Sequence, residues 1–325
     1  MLDLQVKYAG LTLPSPVIAG SSGLSRNLET VKALAAAGAG AIVLPSLFEE
    51  QIEREIATLE TESAYTEGQE MLEYFQKQHA LEEYLGMIKR TKEAVEIPVI
   101  ASINCYRAGS WMEFAHRIAT AGADALELNI FYLTSNPDIT DNEIRNNYLT
   151  IARQIVKEID IPVILKVSSS FTNLTGIMRE LSFTGIDGLV LFNRFVRPDI
   201  DVERLEMRTA EVISSVSDMS ASLRWIGILS DKVDCDLCAS SGIKNGEDVI
   251  KMLLAGANAV QMVNALYLEG ASAVSSALAY IRKWMERHNF SDIEEFRGRL
   301  SQDSLTDATL YERVQFIKYF SEYKK

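Results

Sequence analysis

The chain has 325 residues, 47% of them hydrophobic, and a formal net charge of −13. That supply of apolar side chains excludes a disordered protein, and the negative charge opposes binding to nucleic acid or anionic lipid. No apolar run reaches the length of a membrane span, the start MLDLQVKYAG lacks a basic-then-apolar leader, and three cysteines exclude a disulfide framework, so the expectation is a cytoplasmic protein acting on a small molecule.

In chain order, buried strands alternate with amphipathic helices. AAGAGAIVL (36–44), TAGADALEL (120–128), FTGIDGLVL (183–191) and LAGANAVQM (254–262) repeat one unit, a helix ended by Gly38, Gly122, Gly185 or Gly256 and then an apolar strand. SPVIAG (15–20), EIPVIASI (96–103) and DIPVILKV (160–167) add strands opened by proline, and Cys235–Ala239 adds the last. Continuous apolar strands separated by helices such as 111–121 and 146–158 describe a parallel sheet covered by helices. Eight units in this length predict a (β/α)8 TIM barrel, with an open doubly wound sheet as the alternative. The Gly38/Gly40 pair precedes its strand, so it is no dinucleotide fingerprint.

No linker divides the chain, which reads as one barrel domain over 1–325. Long excursions follow strand 2 (45 to about 80, with acidic helical matter from Phe48 to Leu59) and strand 6 (194 to about 220, where EMRTAEVISSVS suggests a small hairpin). The tail from about 288 to 325 reads as charged and helical, with a short helix capped at Ser291, packed outside the barrel or on a partner subunit.

The stretch 236–270 is the most informative. A strand ends in Ser240, Ser241 and Gly242, small residues that let backbone amides approach an anion; Asn245 or Gly246 opens a helix with Glu247 and Asp248 in its first turn; a second strand ends at Asn264. Two βα units with a small glycine-bearing loop at strands 7 and 8 are where such a barrel holds a phosphate, although an ordinary tight turn would look similar. Polar residues end the other strands: Ser21 and Ser22, Ser46, Ser102 and Asn104, Asn129, Lys166 and Asn193. A lysine inside PVILKV has to reach an anion or an electron-rich ligand atom in the barrel mouth, and the asparagines suit the amide or carbonyl edge of a bound ring. Cys235 and Cys238 form a C-x-x-C whose side chains face opposite sides of a strand, and His79, His116 and His288 are scattered, so no metal site is expected.

These residues resemble the FMN-dependent dihydroorotate dehydrogenases over nearly the whole chain, and VIASINCY through AGADALELN is also similar to the pyrimidine-reducing domain of dihydropyrimidine dehydrogenase. The resemblance implies FMN as cofactor and an oxidoreductase of CH–CH bonds. It places Ala19 and Gly20 against the flavin, Lys166, Asn129 and Asn193 near its ring, Ser46 beside it, and Ser241, Gly242 and Asn264 around its phosphate. A homodimer is also implied.

Two departures matter. The family's base after strand 4 is a Cys or Ser, whereas NIFYLTSNPD puts Tyr132 there and Ser135 a little further on. Its strand 2 ends Lys-Ser, whereas this chain has Pro45 and Ser46, and the substrate motif after strand 2 is missing. A phenol is protonated at neutral pH, a poor base but a ready acid, which argues for a reductase or for a lost dihydroorotate reaction. The alternatives are a true dihydroorotate dehydrogenase with a displaced Ser or Tyr base, a flavin protein without turnover, and a flavin-free lyase or aldolase using Lys166 as Schiff-base amine.

Overall fold

The computed structural model describes residues 2–48, 69–104, 108–130, 132, 134–194, 198–209 and 216–312. Eight parallel strands close into a barrel: β3 (Val17–Ala19), β4 (Ala41–Val43), β6 (Val99–Asn104), β7 (Ala125–Asn129), β8 (Val163–Val167), β9 (Gly188–Leu191), β12 (Asp236–Ala239) and β13 (Ala259–Met262). Pairing of β13 with β3 and of β4 with β6 completes the ring. All eight strands coincide with the apolar runs of the sequence, and their side chains are almost wholly buried, as inward layers and outer helices require.

The helices α1 (Leu28–Ala36), α2 (Gln69–Ala94), α3 (Ala108–Thr120), α4 (Asp141–Glu158), α5 (Leu174–Ser182), α6 (Val216–Leu229) and α7 (Gly246–Ala255) lie between strands; α8 (Asn264–Glu269) and α9 (Ser272–His288) follow the last. Gly38, Gly122, Gly185 and Gly256 have φ of +96°, +96°, +93° and +115°. The left-handed helix end that glycine tolerates is thus the physical content of the four-fold repeat. Helix α4 starts five residues before the expected 146, because Thr140 and Glu143 form a capping box there.

One end of the barrel is plugged. The hairpin of β1 (Val6–Tyr8) and β2 (Leu11–Leu13), which the sequence reading did not identify, lies across the strand N-termini, where the Ala9 amide donates to the Asp236 carboxylate at 2.7 Å. The buried Tyr8 ring fits closely against Gly188, where a Cβ would come within 3.2 Å of it. Function is therefore left to the opposite, C-terminal end.

The excursion after strand 2 differs from expectation where it can be seen. Leu47–Phe48 form a short strand, β5, paired with β6, so Phe48 starts no helix; residues 49–68 lie outside the described residues. After strand 6 a hairpin is present, joining β10 (Pro198–Asp201) to β11 (Glu206–Thr209), so that EMRT of the expected stretch forms its second strand, and residues 210–215 lie outside the described residues. Ile200, Val202, Leu205 and Met207 are its exposed apolar residues, while Arg208 and Asp199 pair at 2.6 Å.

The tail corrects the expected helix at Ser291. Residues 290–301 form successive turns, in which Ser291 Oγ donates to Glu295 and Asp292 accepts from the Glu295 amide. The segment hydrogen-bonds to the outside of the barrel through Gly298, Leu300 and Gln302, which donate to the carbonyls of Leu253, Leu254 and Gly227. Competition from these tertiary bonds replaces a continuous helical ladder, and only α10 (Thr309–Glu312) is helical among the described residues beyond α9.

Candidate active site

The C-terminal ends of the strands surround a trough made of two adjoining cavities, of about 220 and 310 Å³. The first is lined by Ser240, Ser241, Gly242, Ile243, Val263 and Asn264. The second is lined by Arg26, Pro45, Ser46, Phe48, Glu127 and Asn129. Ser21, Lys166 and Asn193 line both and join them.

In the first cavity, Ser241 and Gly242 take consecutive left-handed conformations, φ +75° and +77°. A non-glycine residue at positive φ is strained, and here the Ser241 hydroxyl holds the turn by donating to the Phe192 carbonyl at 3.2 Å. The chain then enters α7, whose N-cap Asn245 accepts from the Asp248 amide. A narrow glycine-bearing turn running into a ten-residue helix presents backbone donors and the positive end of the helix dipole.

Beneath the junction lies a charged cluster in the barrel interior. Lys166, 7% exposed, donates from Nζ to Gln261 Oε1 at 2.8 Å and lies 3.7 Å from Glu127 Oε1. Gln261 Nε2 donates in turn to Glu127 Oε2. Glu127 and Gln261 are 1% and 2% exposed. The strand period of two explains the placement: Glu127 sits two residues before Asn129, so both point inward on β7, and Lys166 is registered beside Asn129 on β8. The anion that Lys166 had to reach is therefore internal, and the sequence reading had overlooked both it and Gln261. Among the described residues Glu127 Oε1 accepts no hydrogen bond, and the Lys166 ammonium 3.7 Å away is the charge that compensates its burial.

The remaining polar residues are linked in pairs. Asn193 Nδ2 donates to Asn129 Oδ1 at 2.8 Å, and the hydroxyls of Ser46 and Ser102 are 2.8 Å apart, with Ser21 3.3 Å from Ser46. Tyr84 accepts from the Ser102 amide and donates to its carbonyl; burial pushes this phenol well above its usual range. Gly20 sits where a Cβ would meet Val263 at 2.7 Å, and its amide donates to the Met262 carbonyl; Ala19 is buried just before it.

Of the site residues read from the sequence, Ser46, Asn129, Lys166, Asn193, Ser241, Gly242 and Asn264 come together around the trough. Tyr132 and Ser135 line neither cavity: Tyr132 is half-buried against the core, and Ser135 is exposed. Arg26 and Arg194, in loops after β3 and β9, were overlooked because nothing in those loops marks them. Burial pushes the Cys235 and Cys238 thiols far up, and no group of metal-binding side chains occurs among the described residues.

A closed (β/α)8 barrel with a glycine-bearing turn after strand 7 and a buried lysine in its C-terminal mouth has the architecture of a barrel enzyme. The family described as dihydroorotate dehydrogenase matches residues 3–285, and the chain belongs to that family. It is 24% identical over 311 residues to the catalytic subunit of dihydroorotate dehydrogenase B (NAD(+)) of Thermoplasma volcanium, covering 92% of this chain and 98% of that protein. It is 26% identical to the chloroplastic dihydropyrimidine dehydrogenase (NADP(+)) of Arabidopsis thaliana (96% and 80% covered) and 26% identical to dihydroorotate dehydrogenase A (fumarate) of Limosilactobacillus reuteri (80% and 86%). The protein is a flavin-dependent oxidoreductase acting on CH–CH bonds. Among the described residues no helix is long and apolar enough to cross a membrane.

Proposed function

We propose that the flavin is FMN and that the chain catalyses, in the cytoplasm, hydrogen transfer at a carbon–carbon bond next to a carbonyl, in the direction of reduction. The observation that carries the cofactor assignment is the continuity of the trough, a phosphate-sized turn at one end and a buried cation with an asparagine pair in the middle. FMN has that layout, a single phosphate joined through a short chain to a flat ring with amide and carbonyl edges. Ser241, Gly242 and Asn264 would hold its phosphate, and Lys166, Asn129, Asn193 and Ser46 the ring, with Ala19 and Gly20 alongside.

When bound, FMN supplies the hydride chemistry. The chain's own residues orient the substrate and manage the proton. Lys166, fixed by Glu127 and Gln261, supplies positive charge at the centre of the trough, where negative charge is favoured. Tyr132, three residues beyond Asn129 on the loop leaving β7, lines neither cavity and is assigned as proton donor in this reading on the chemistry of its phenol alone. The lyase reading finds no support, because an amine that donates to Gln261 and faces Glu127 is placed as a fixed cation and not as a nucleophile.

The test is direct. Protein purified in the presence of FMN should be yellow and hold one FMN per chain. After anaerobic reduction it should be reoxidised by an unsaturated acid or amide faster than by buffer alone. Colourless protein that takes up no FMN would refute the cofactor assignment, and prompt bleaching by dihydroorotate without reoxidation by any acceptor would refute the direction.

A further inference from the structure

Among the described residues three cations line the trough: Lys166, Arg194 and Arg26. Two have counter-charges, since Lys166 lies 3.7 Å from Glu127 and Arg194 lies 3.6 Å from Asp218. Arg26, exposed at the rim, pairs with no carboxylate among the described residues, so of these three cations it is the one without a counter-charge there.

Its position is specific. Arg26 ends the 3-10 turn Gly23–Arg26 that follows β3, and it lines the cavity of Ser46, Asn129 and Glu127 but not that of the phosphate turn. Its charge is felt at the buried Tyr84, where it opposes the effect of burial. Pro45, which stands where the family resemblance calls for lysine, lines the same cavity. Arg26 stands in the turn after the strand next to β4, and the rest of this wall holds the hydroxyls of Ser21, Ser22 and Ser46, the amides of Asn129 and Asn193, and the mutually paired Glu127 and Lys166.

We propose that Arg26 is a specificity-determining residue that takes the carboxylate of an unsaturated acid substrate. A guanidinium offers two parallel N–H donors to a carboxylate, and an unpaired one at a cavity wall is satisfied by an anion more than by a neutral amide. The phosphate of the cofactor is not that anion, because its turn belongs to the other cavity. The proposal rests on the FMN reading above and adds the substrate's charge to it.

The experiment uses two matched pairs of probes, orotate against uracil and fumarate against fumaramide, titrated into FMN-loaded protein. Binding is followed by perturbation of the flavin absorbance and by calorimetry, and FMN content is measured separately after release. Wild type should bind at least one acid about 10- to 100-fold more tightly than its neutral partner, the range expected for charge-assisted hydrogen bonds. Arg26→Gln should erase that preference while keeping FMN, and Arg26→Lys should restore part of it. The proposal is overturned if neither acid is preferred by wild type, if the preference survives Arg26→Gln, or if Arg26→Gln loses FMN, which would put Arg26 on the cofactor. Failure of wild type itself to hold FMN would instead refute the cofactor assignment.

Discussion

The two walls of the trough are built differently. On the side of β12 and β13 a left-handed turn, Ser241–Gly242, runs into a ten-residue helix, and a glutamine fixes the buried lysine. On the side of β4 and β7, Pro45 stands where the family resemblance calls for lysine, and Tyr132, beyond Asn129 and outside both cavities, stands where it calls for Cys or Ser. In the proposed reading the first wall holds the cofactor and the second the substrate, and loops on a barrel can exchange side chains without disturbing its strands. This contrast teaches that cofactor and substrate should be assigned separately, and the following changes are expected to affect one wall and spare the other.

The largest effect should come from Gly242→Val. A β-branched residue at φ +77° would strain the turn and crowd the anion, so FMN affinity should fall by more than about 100-fold in soluble protein. Retention of stoichiometric FMN, measured by ultrafiltration, would show that the phosphate lies elsewhere.

Next, Glu127→Gln removes the counter-charge of a nearly buried lysine, which typically costs about 3–5 kcal/mol. Denaturant unfolding of the FMN-free protein should show it, and the double variant with Lys166→Met should recover much of the loss. Additive losses would mean that the pair is not coupled.

Removing a general acid typically costs about 10²- to 10⁴-fold, so Tyr132→Phe should slow reoxidation by substrate at least that much while leaving reduction and FMN affinity unchanged. Ser135→Ala should be neutral. The reverse pattern would move the proton to Ser135 and restore the idea of a displaced base.

A smaller change is expected from Lys166→Ala, which should keep some FMN but make it harder to reduce by roughly 30–60 mV, from about 1.5–3 kcal/mol per charged hydrogen bond. An unchanged midpoint potential would remove Lys166 from the ring.

The smallest is a pH effect outside both walls. Burial raises the Cys235 and Cys238 thiol values in the folded state. Above the ordinary thiol value of about 8.5 the unfolded chain therefore loses these protons while the folded chain keeps them, and stability declines as pH rises. Replacing both by Ala should flatten the melting temperature between neutral and alkaline pH. An unaltered slope would assign the decline to other groups.

Most of this fold is legible in the sequence, because period and punctuation carry it. The four glycines that end helices and the prolines that open strands mark the barrel units, and the observed φ values give the reason. The plug hairpin was missed because VKY and LTL are too short to show a period, and the tail because tertiary hydrogen bonds override its helical composition. In the site, residues at strand ends could be read one at a time, whereas the Glu127–Lys166–Gln261 cluster needs three strands at once. A signal was available nonetheless: ALEL, PVILKV and AVQM each carry one charged or amide residue inside an apolar run, and such residues need one another. Arg26 had no such signal, being one arginine in a loop.

The central claim is that the turn at Ser241 and Gly242 binds the phosphate of FMN. It is tested most directly by comparing the affinities of the apoprotein for FMN and for riboflavin, which differ only in that phosphate. Two or more charge-assisted hydrogen bonds predict FMN to bind at least about 100-fold more tightly, with the advantage lost in Gly242→Val. Equal affinity for the two flavins, or an FMN advantage that survives Gly242→Val, would contradict the account.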